Sequence, residues 1–219
     1  MYRSKFQKEI DALNIGLIQL GSMVAQTIDG SVRALITQDR ELCNQIIASK
    51  REVNILRAEI ESKALRIILM QQPIASDLRI ISTALKIITD LERISDQASD
   101  ICEIVLHLCE EKYRPTIEIL PQMGEYAKQM VHGCTNSFTK QDIALAEEII
   151  KIDDLMDELF VKLKKKMINL IKEKSDYADQ AIYFLMVGKY FEKIGDHAEN
   201  IAEWVIFSKT GKHKHNRIL

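Results

Sequence analysis

Chain breakers are scarce in this sequence. Eight glycines and three prolines, Pro73, Pro115 and Pro121, are spread over 219 residues, about half of average usage. A sandwich or barrel needs a turn roughly every ten residues, so the chain points to an all-α fold. Leu13, Leu17, Leu20, Val24, Ile28, Ser31 and Leu35 recur at steps of three and four, the stripe of a helix packed along one face. The sparse punctuation marks out six long helices. Asp39 is placed to cap a second helix running to about Gln71, where Pro73 stops it. Ser76 or Asp77 is placed to cap a third, reaching about Glu111. The segment Tyr113–Pro121 holds the other two prolines and separates residues 1–113 from 114–210. A fourth helix is expected over about Pro121–Thr139, a fifth from near Asp142 to about Lys172, and a sixth from about Ser175 to Lys209. Residues 211–219 read as a flexible basic tail. Helices of about 30 residues are about 45 Å long, and short turns between them make neighbours antiparallel.

The two halves repeat one another. Shifted by 103 positions, Leu20 falls on Met123, Ile28 on Val131, Asp39 on Asp142, Ile46 on Ile149 and Asn54 on Asp157. From the third helix the shift is 100, placing Glu92 on Glu192, Asp96 on Asp196, Asp100 on Asn200 and Glu103 on Glu203. Amphipathic helices share leucines by chance, but not matching acidic residues with a single change of register. The expectation is therefore two tandem three-helix bundles produced by duplication.

Composition excludes several function classes. A formal net charge of −2 gives no basic excess to recruit nucleic acid. Apolar runs such as Ile67–Met70 fall far short of the roughly 20 residues that span a bilayer, so membrane contact can only be peripheral. The opening MYRSKFQKEID lacks an apolar signal segment, and a cytoplasmic location is expected. Cys43, Cys102, Cys109 and Cys134 form no zinc spacing and read as reduced core residues. No P-loop, dinucleotide fingerprint, nucleophile elbow or HExxH occurs, and no nucleophile stands beside a base, so no catalytic residue is assigned and the chain is not expected to be an enzyme.

The third helix carries the most unusual pattern. Turned at about 100° per residue, it puts Ile88, Leu91, Ser95, Ala98 and Cys102 on a core seam. Glu92, Asp96, Asp100 and Glu103 fall in one narrow stripe beside that seam. The sixth helix repeats the stripe with Glu192, Asp196, Asn200 and Glu203. Like charges four apart oppose helix formation, so something must neutralise them. A row of Lys or Arg on a neighbouring helix is one solution, and a bound cation is the other. Carboxylates without a Cys or His set suit magnesium, calcium, manganese or iron. Asp153 and Asp157 on the fifth helix and Asn54 on the second are further candidate oxygen donors. Gly195 and Ser95 hold equivalent seam positions where helices approach closely. Lys162, Lys164, Lys165 and Lys166 form a basic run suited to a helix end, or to an acidic membrane or transporter surface.

Gln72–Ile81 followed by Leu85–Asp96 resembles the first signature of the PhoU family, and Glu192–Glu203 resembles the second. The resemblance covers nearly the whole chain. It implies paired three-helix bundles, a homodimer, and iron or zinc clusters held by Glu92, Asp96 and Asp100 and by Glu192, Asp196 and Asn200. It also implies a negative regulator of phosphate uptake and of the phosphate-starvation response. Its partners would be the ATPase of a phosphate ABC transporter and a phosphate-sensing histidine kinase. Ser95, Gln97 and Asp100 depart from the family's usual Gly, His and Asn in the first copy, and Lys193 replaces a common Arg in the second. Two rival readings remain open: a metal-dependent phosphate-ester hydrolase, and a structural scaffold whose acidic stripes are merely solvated.

Overall fold

Gln38 and Gln141, 103 positions apart, are the non-glycine residues with positive φ among the described residues, at 58° and 54°. Each turns the chain out of one helix, and the aspartate that follows starts the next. Asp39 Oδ1 accepts from the Leu42 amide at 3.0 Å, and Asp142 Oδ1 from the Leu145 amide at 3.1 Å. Both satisfy a first-turn donor that the helix itself leaves unpaired. The corners join α1 (Tyr2–Thr37) to α2 (Arg40–Gln71) and α4 (Ile119–Lys140) to α5 (Ile143–Glu173). The remaining helices are α3 (Ala75–Leu108) and α6 (Ala178–Thr210). The computed structural model describes residues 2–71, 73–110, 118–173, 175–213 and 216–217. Pro115 and the expected boundary at 113 and 114 lie outside them.

Three local expectations differ from the structure. Neither Ser76 nor Asp77 caps α3. The helix starts earlier, at Ala75, with extended Ile74 (φ −74°, ψ 168°) as a cap that makes no side-chain hydrogen bond. The residue following Pro73 thus ends the extended stretch, and Asp77 sits inside the first turn, where its charge still suits the helix dipole. At the matching place in the second copy, residues Ser175–Tyr177 form a 3-10 turn before α6. The tail is not wholly without structure: Gly211 (φ 72°) ends α6, and β1 (Lys212–His213) pairs antiparallel with β2 (Asn216–Arg217). The His213 ring lies 4.0 Å from that of Trp204, which also meets Phe207 edge-on at 5.3 Å.

α1, α2 and α3 pack mutually as one bundle and α4, α5 and α6 as another; α3 against α6 and α1 against α4 join them. The α1 stripe from Leu13 to Leu35 and the α3 seam from Ile88 to Cys102 are all buried. Glycine contacts show the duplication in atomic detail. A Cβ on Gly30 would meet Ile46 Cδ1 at 2.4 Å, and one on Gly133 would meet Ile149 Cδ1 at 2.2 Å, the same pair shifted by 103. Across the α1–α4 junction, Gly21 faces Thr135 and Gly124 faces Val32, which exchanges the copies as a pseudo-two-fold axis requires.

The α3–α6 junction follows the same symmetry. Arg79 Nε donates to the Ser208 carbonyl at 3.4 Å and Thr83 Oγ1 to that of Trp204, also at 3.4 Å, fixing an antiparallel register. Asp90, buried, accepts from Asn200 Nδ2 at 2.8 Å and lies 2.9 Å from His197 Nδ1. A carboxylate only accepts, so that nitrogen carries the proton. At the symmetry-related place Tyr190 and Asp100 interact, and burial followed by the Asp100 charge raises the Tyr190 pKa. No described helix is long and apolar enough to cross a membrane.

Candidate functional site

The core seam beside each stripe fixes where the acidic side chains emerge. Glu92, Asp96 and Asp100 are half-buried on α3; Glu192, Asp196 and Asn200 are half-buried on α6. The same positions meet different surroundings in the two copies.

In the first copy the neighbouring helix is basic. Lys50 Nζ, on α2, lies 2.7 Å from Asp96 Oδ1, and this bond raises the Lys50 pKa. Arg57 Nε comes within 3.3 Å of Glu92 Oε2, in ion-pair reach but not in hydrogen-bond geometry, while its Nη1 donates to Glu61 at 3.0 Å. Asp100, turned toward Tyr190, is pushed to a higher pKa by burial and by Glu103, with Lys50 opposing. Asn54 is half-buried, and its Oδ1 has no hydrogen-bond partner.

In the second copy the neighbouring helix is acidic. Burial, then the charges of Glu199, Asp157, Asp196 and Asp154, push the Asp153 pKa up to about 7. Burial, then Glu192 and Asp196, raise that of Asp157, with Lys189 opposing. The cations here belong to α6 itself: Lys189 pairs with Glu192 at 2.6 Å, and Lys193 pairs with Asp196 and with Glu192. Gly195 gives Asp153 its room, since a Cβ there would sit 2.7 Å from Asp153 Oδ1. That oxygen is buried without a hydrogen-bond partner. The glycine cost of about 1 kcal/mol in mid-helix is thus tied to a carboxylate held against the α6 backbone. Asn200 faces Asp90 across the junction and so links the halves.

The raised Asp153 pKa gives a signed expectation. An aspartate in the unfolded chain titrates near 3.8, and this one titrates near 7 when folded. The folded state therefore holds more protons between those values, and stability falls as pH rises through that window. Asp153→Asn removes the penalty. With chelator present, its melting temperature should exceed wild type by about 3 °C at pH 8, after screening by partial exposure, and by almost nothing near pH 4. An increment independent of pH would contradict this origin.

The sequence profile of the PhoU domain matches the chain twice, over residues 17–105 and 120–205. The chain belongs to the PhoU family. The two matches start 103 residues apart and end 100 apart, the same shifts that align the copies. A phosphate-specific transport system accessory protein PhoU homolog of Clostridium acetobutylicum is 35% identical over 213 residues, covering 97% of each chain. The accessory protein PhoU of Escherichia coli is 28% identical over 95% of this chain and 86% of its own. The crystal structure of PhoU from Pseudomonas aeruginosa superposes with a TM-score of 0.89 at 29% identity, covering 94% of this chain and all of that one. The phosphate transport system regulatory protein PhoU from Streptococcus pneumoniae gives a TM-score of 0.88 at 27% identity, covering 95% and 98%. These relatives are named as accessory or regulatory proteins rather than enzymes.

The metal clusters implied by likeness to PhoU can be tested against the side chains. Among the described residues no three His, Cys, Asp or Glu converge closely enough to enclose an ion. The donor chemistry nevertheless separates the copies. The first stripe does not fit a cation, because Lys50 and Arg57 already supply positive charge to Asp96 and Glu92. The second fits a hard, oxygen-bound cation better. Asp153, Asp154, Asp157, Glu192, Asp196 and Glu199 interact there, Lys189 and Lys193 supply two positive charges, and Asp153 keeps an orphaned oxygen. The charge pattern of α3 alone does not reveal Lys50 or Arg57, but the 103-residue shift places them opposite Asp153 and Phe160.

Proposed function

We propose that this chain is an accessory regulator of phosphate-specific transport, restraining phosphate uptake and the phosphate-starvation response when phosphate is plentiful. The double PhoU-domain match carries the reading, supported by relatives that align almost end to end and are named for that transport system. The chain works in the cytoplasm as a homodimeric adaptor between the transporter's ATPase and a phosphate-sensing histidine kinase. An adaptor of this kind needs different affinities for its partners in replete and starved cells, since only differential binding shifts an equilibrium. Carboxylates of the second stripe, Asp153, Asp157, Glu192 and Asp196, would hold a divalent cation; that cation would supply positive charge at a surface otherwise short of it. The exposed run of Lys162, Lys164, Lys165 and Lys166 gives α5 a basic end for an acidic partner or membrane surface. Deleting the gene and following a phosphate-starvation reporter in phosphate-rich medium tests the reading. Derepression is the expected result, and a reporter that stays fully repressed would overturn it.

A further inference from the structure

The shift of 103 that aligns the copies puts Lys50 on Asp153, Asn54 on Asp157 and Arg57 on Phe160. Two positions on α2 that face the first stripe are cationic, and their counterparts on α5 are a carboxylate and an aromatic ring. The substitutions act where the stripes need a counter-charge: Lys50 reaches Asp96 at 2.7 Å and Arg57 reaches Glu92 at 3.3 Å. In the second copy no α5 cation takes these places among the described ion pairs. Lys189, whose counterpart is Thr89, lies over the Phe160 ring at 5.3 Å and pairs with Glu192 instead.

We propose that Lys50 and Arg57 are built-in counter-ions that close the first stripe to metal, so that this chain takes up divalent cations through its second copy alone. The inference rests on reading the second stripe as a cation site. A divalent ion approaching Glu92 and Asp96 would have to displace both basic groups and then sit among them, against Coulomb repulsion. Arg57 is further tied down by Glu61 and is mostly buried. In the second copy the opposing helix contributes Asp153, with an oxygen that has no other partner. The lysines there reach from the same helix as their partners, three residues away, in pairs that contribute little to stability.

The full chain, stripped of metal and titrated with Mn2+ alone, separates the possibilities. Wild type should bind Mn2+, losing at least tenfold in affinity in Asp153→Asn/Asp196→Asn and less than twofold in Glu92→Gln/Asp96→Asn. Lys50→Asp/Arg57→Glu should gain a second class of Mn2+ sites, and adding Glu92→Gln should remove it. Lys50→Gln/Arg57→Gln, which only removes charge, should gain a weaker second class and guards against misfolding, with helical circular dichroism as the check. Wild-type binding that depends on Glu92 and Asp96, or no new sites in either folded Lys50/Arg57 variant, would overturn the inference. If wild type takes up no Mn2+, the reading of the second stripe fails. The counter-ion role is still decided separately, supported by a gain in the Lys50/Arg57 variants and overturned by its absence.

Discussion

Replacing Gly124 by leucine is expected to lower the melting temperature by about 10 °C, the largest effect of any single change at the junction between the copies. A Cβ at this position would meet Val32 Cγ2 at 2.2 Å, with the Phe191 ring atoms at 3.5 Å. Val32 is β-branched and has one strongly preferred helical rotamer, and Phe191 is fully buried. The clash therefore cannot be relieved by swinging a side chain; α1 and α4 must move apart. Overpacking a core costs about 1–3 kcal/mol for small insertions, and leucine adds more than one methylene. About 3 kcal/mol or more is expected, and each kcal/mol moves the midpoint by about 2–4 °C in a chain of this size. Gly16→Ala provides the control. Its Cβ would meet only the Ile60 side chain, at 3.0 Å, and alanine regains about 1 kcal/mol of helix propensity. Differential scanning calorimetry of both variants checks the contrast; a drop under 2 °C for Gly124→Leu would show that the junction is looser than described.

Asp90→Ala should come next, with a loss of about 3 kcal/mol, or about 8 °C. Asp90 is buried at the α3–α6 junction and accepts from Asn200 at 2.8 Å and from His197 at 2.9 Å. Removing it leaves two donors without their acceptor, and hydrogen bonds to a charged group contribute about 1.5–3 kcal/mol each. Tyr190→Phe, at the symmetry-related link to Asp100, deletes one hydroxyl at a more exposed place and should cost about 1 kcal/mol. Equal, small losses at both positions would remove Asp90 as the main polar lock between the halves.

Much of the fold is legible in the residues because its determinants are local. Asp39 and Asp142 cap as their position in sequence suggests, and the seam from Ile88 to Cys102 is buried as its spacing requires. The start of α3 was less legible: Ser76 and Asp77 are good caps, but the cap falls at Ile74, so the chain leaving Pro73 becomes helical too early to use either. The acidic stripes were visible as a pattern, and the two ways of neutralising them could be stated from sequence. The pairings that the two copies use could not. Whether α2 or α5 turns a Lys or an Asp toward the stripe depends on how helices more than thirty residues apart in sequence rotate against each other, and only tertiary packing sets that. Asn200 shows the same limit, because its place on α6 matches Asp100 on α3 while its amide is committed to Asp90.

The most direct test of the regulatory account is phosphate uptake in phosphate-rich medium, measured with labelled phosphate in cells lacking the gene. The account predicts faster uptake on deletion and restored restraint with wild type or Glu92→Gln/Asp96→Asn, but not with Asp153→Asn/Asp196→Asn. Uptake that is unchanged by deletion would contradict it.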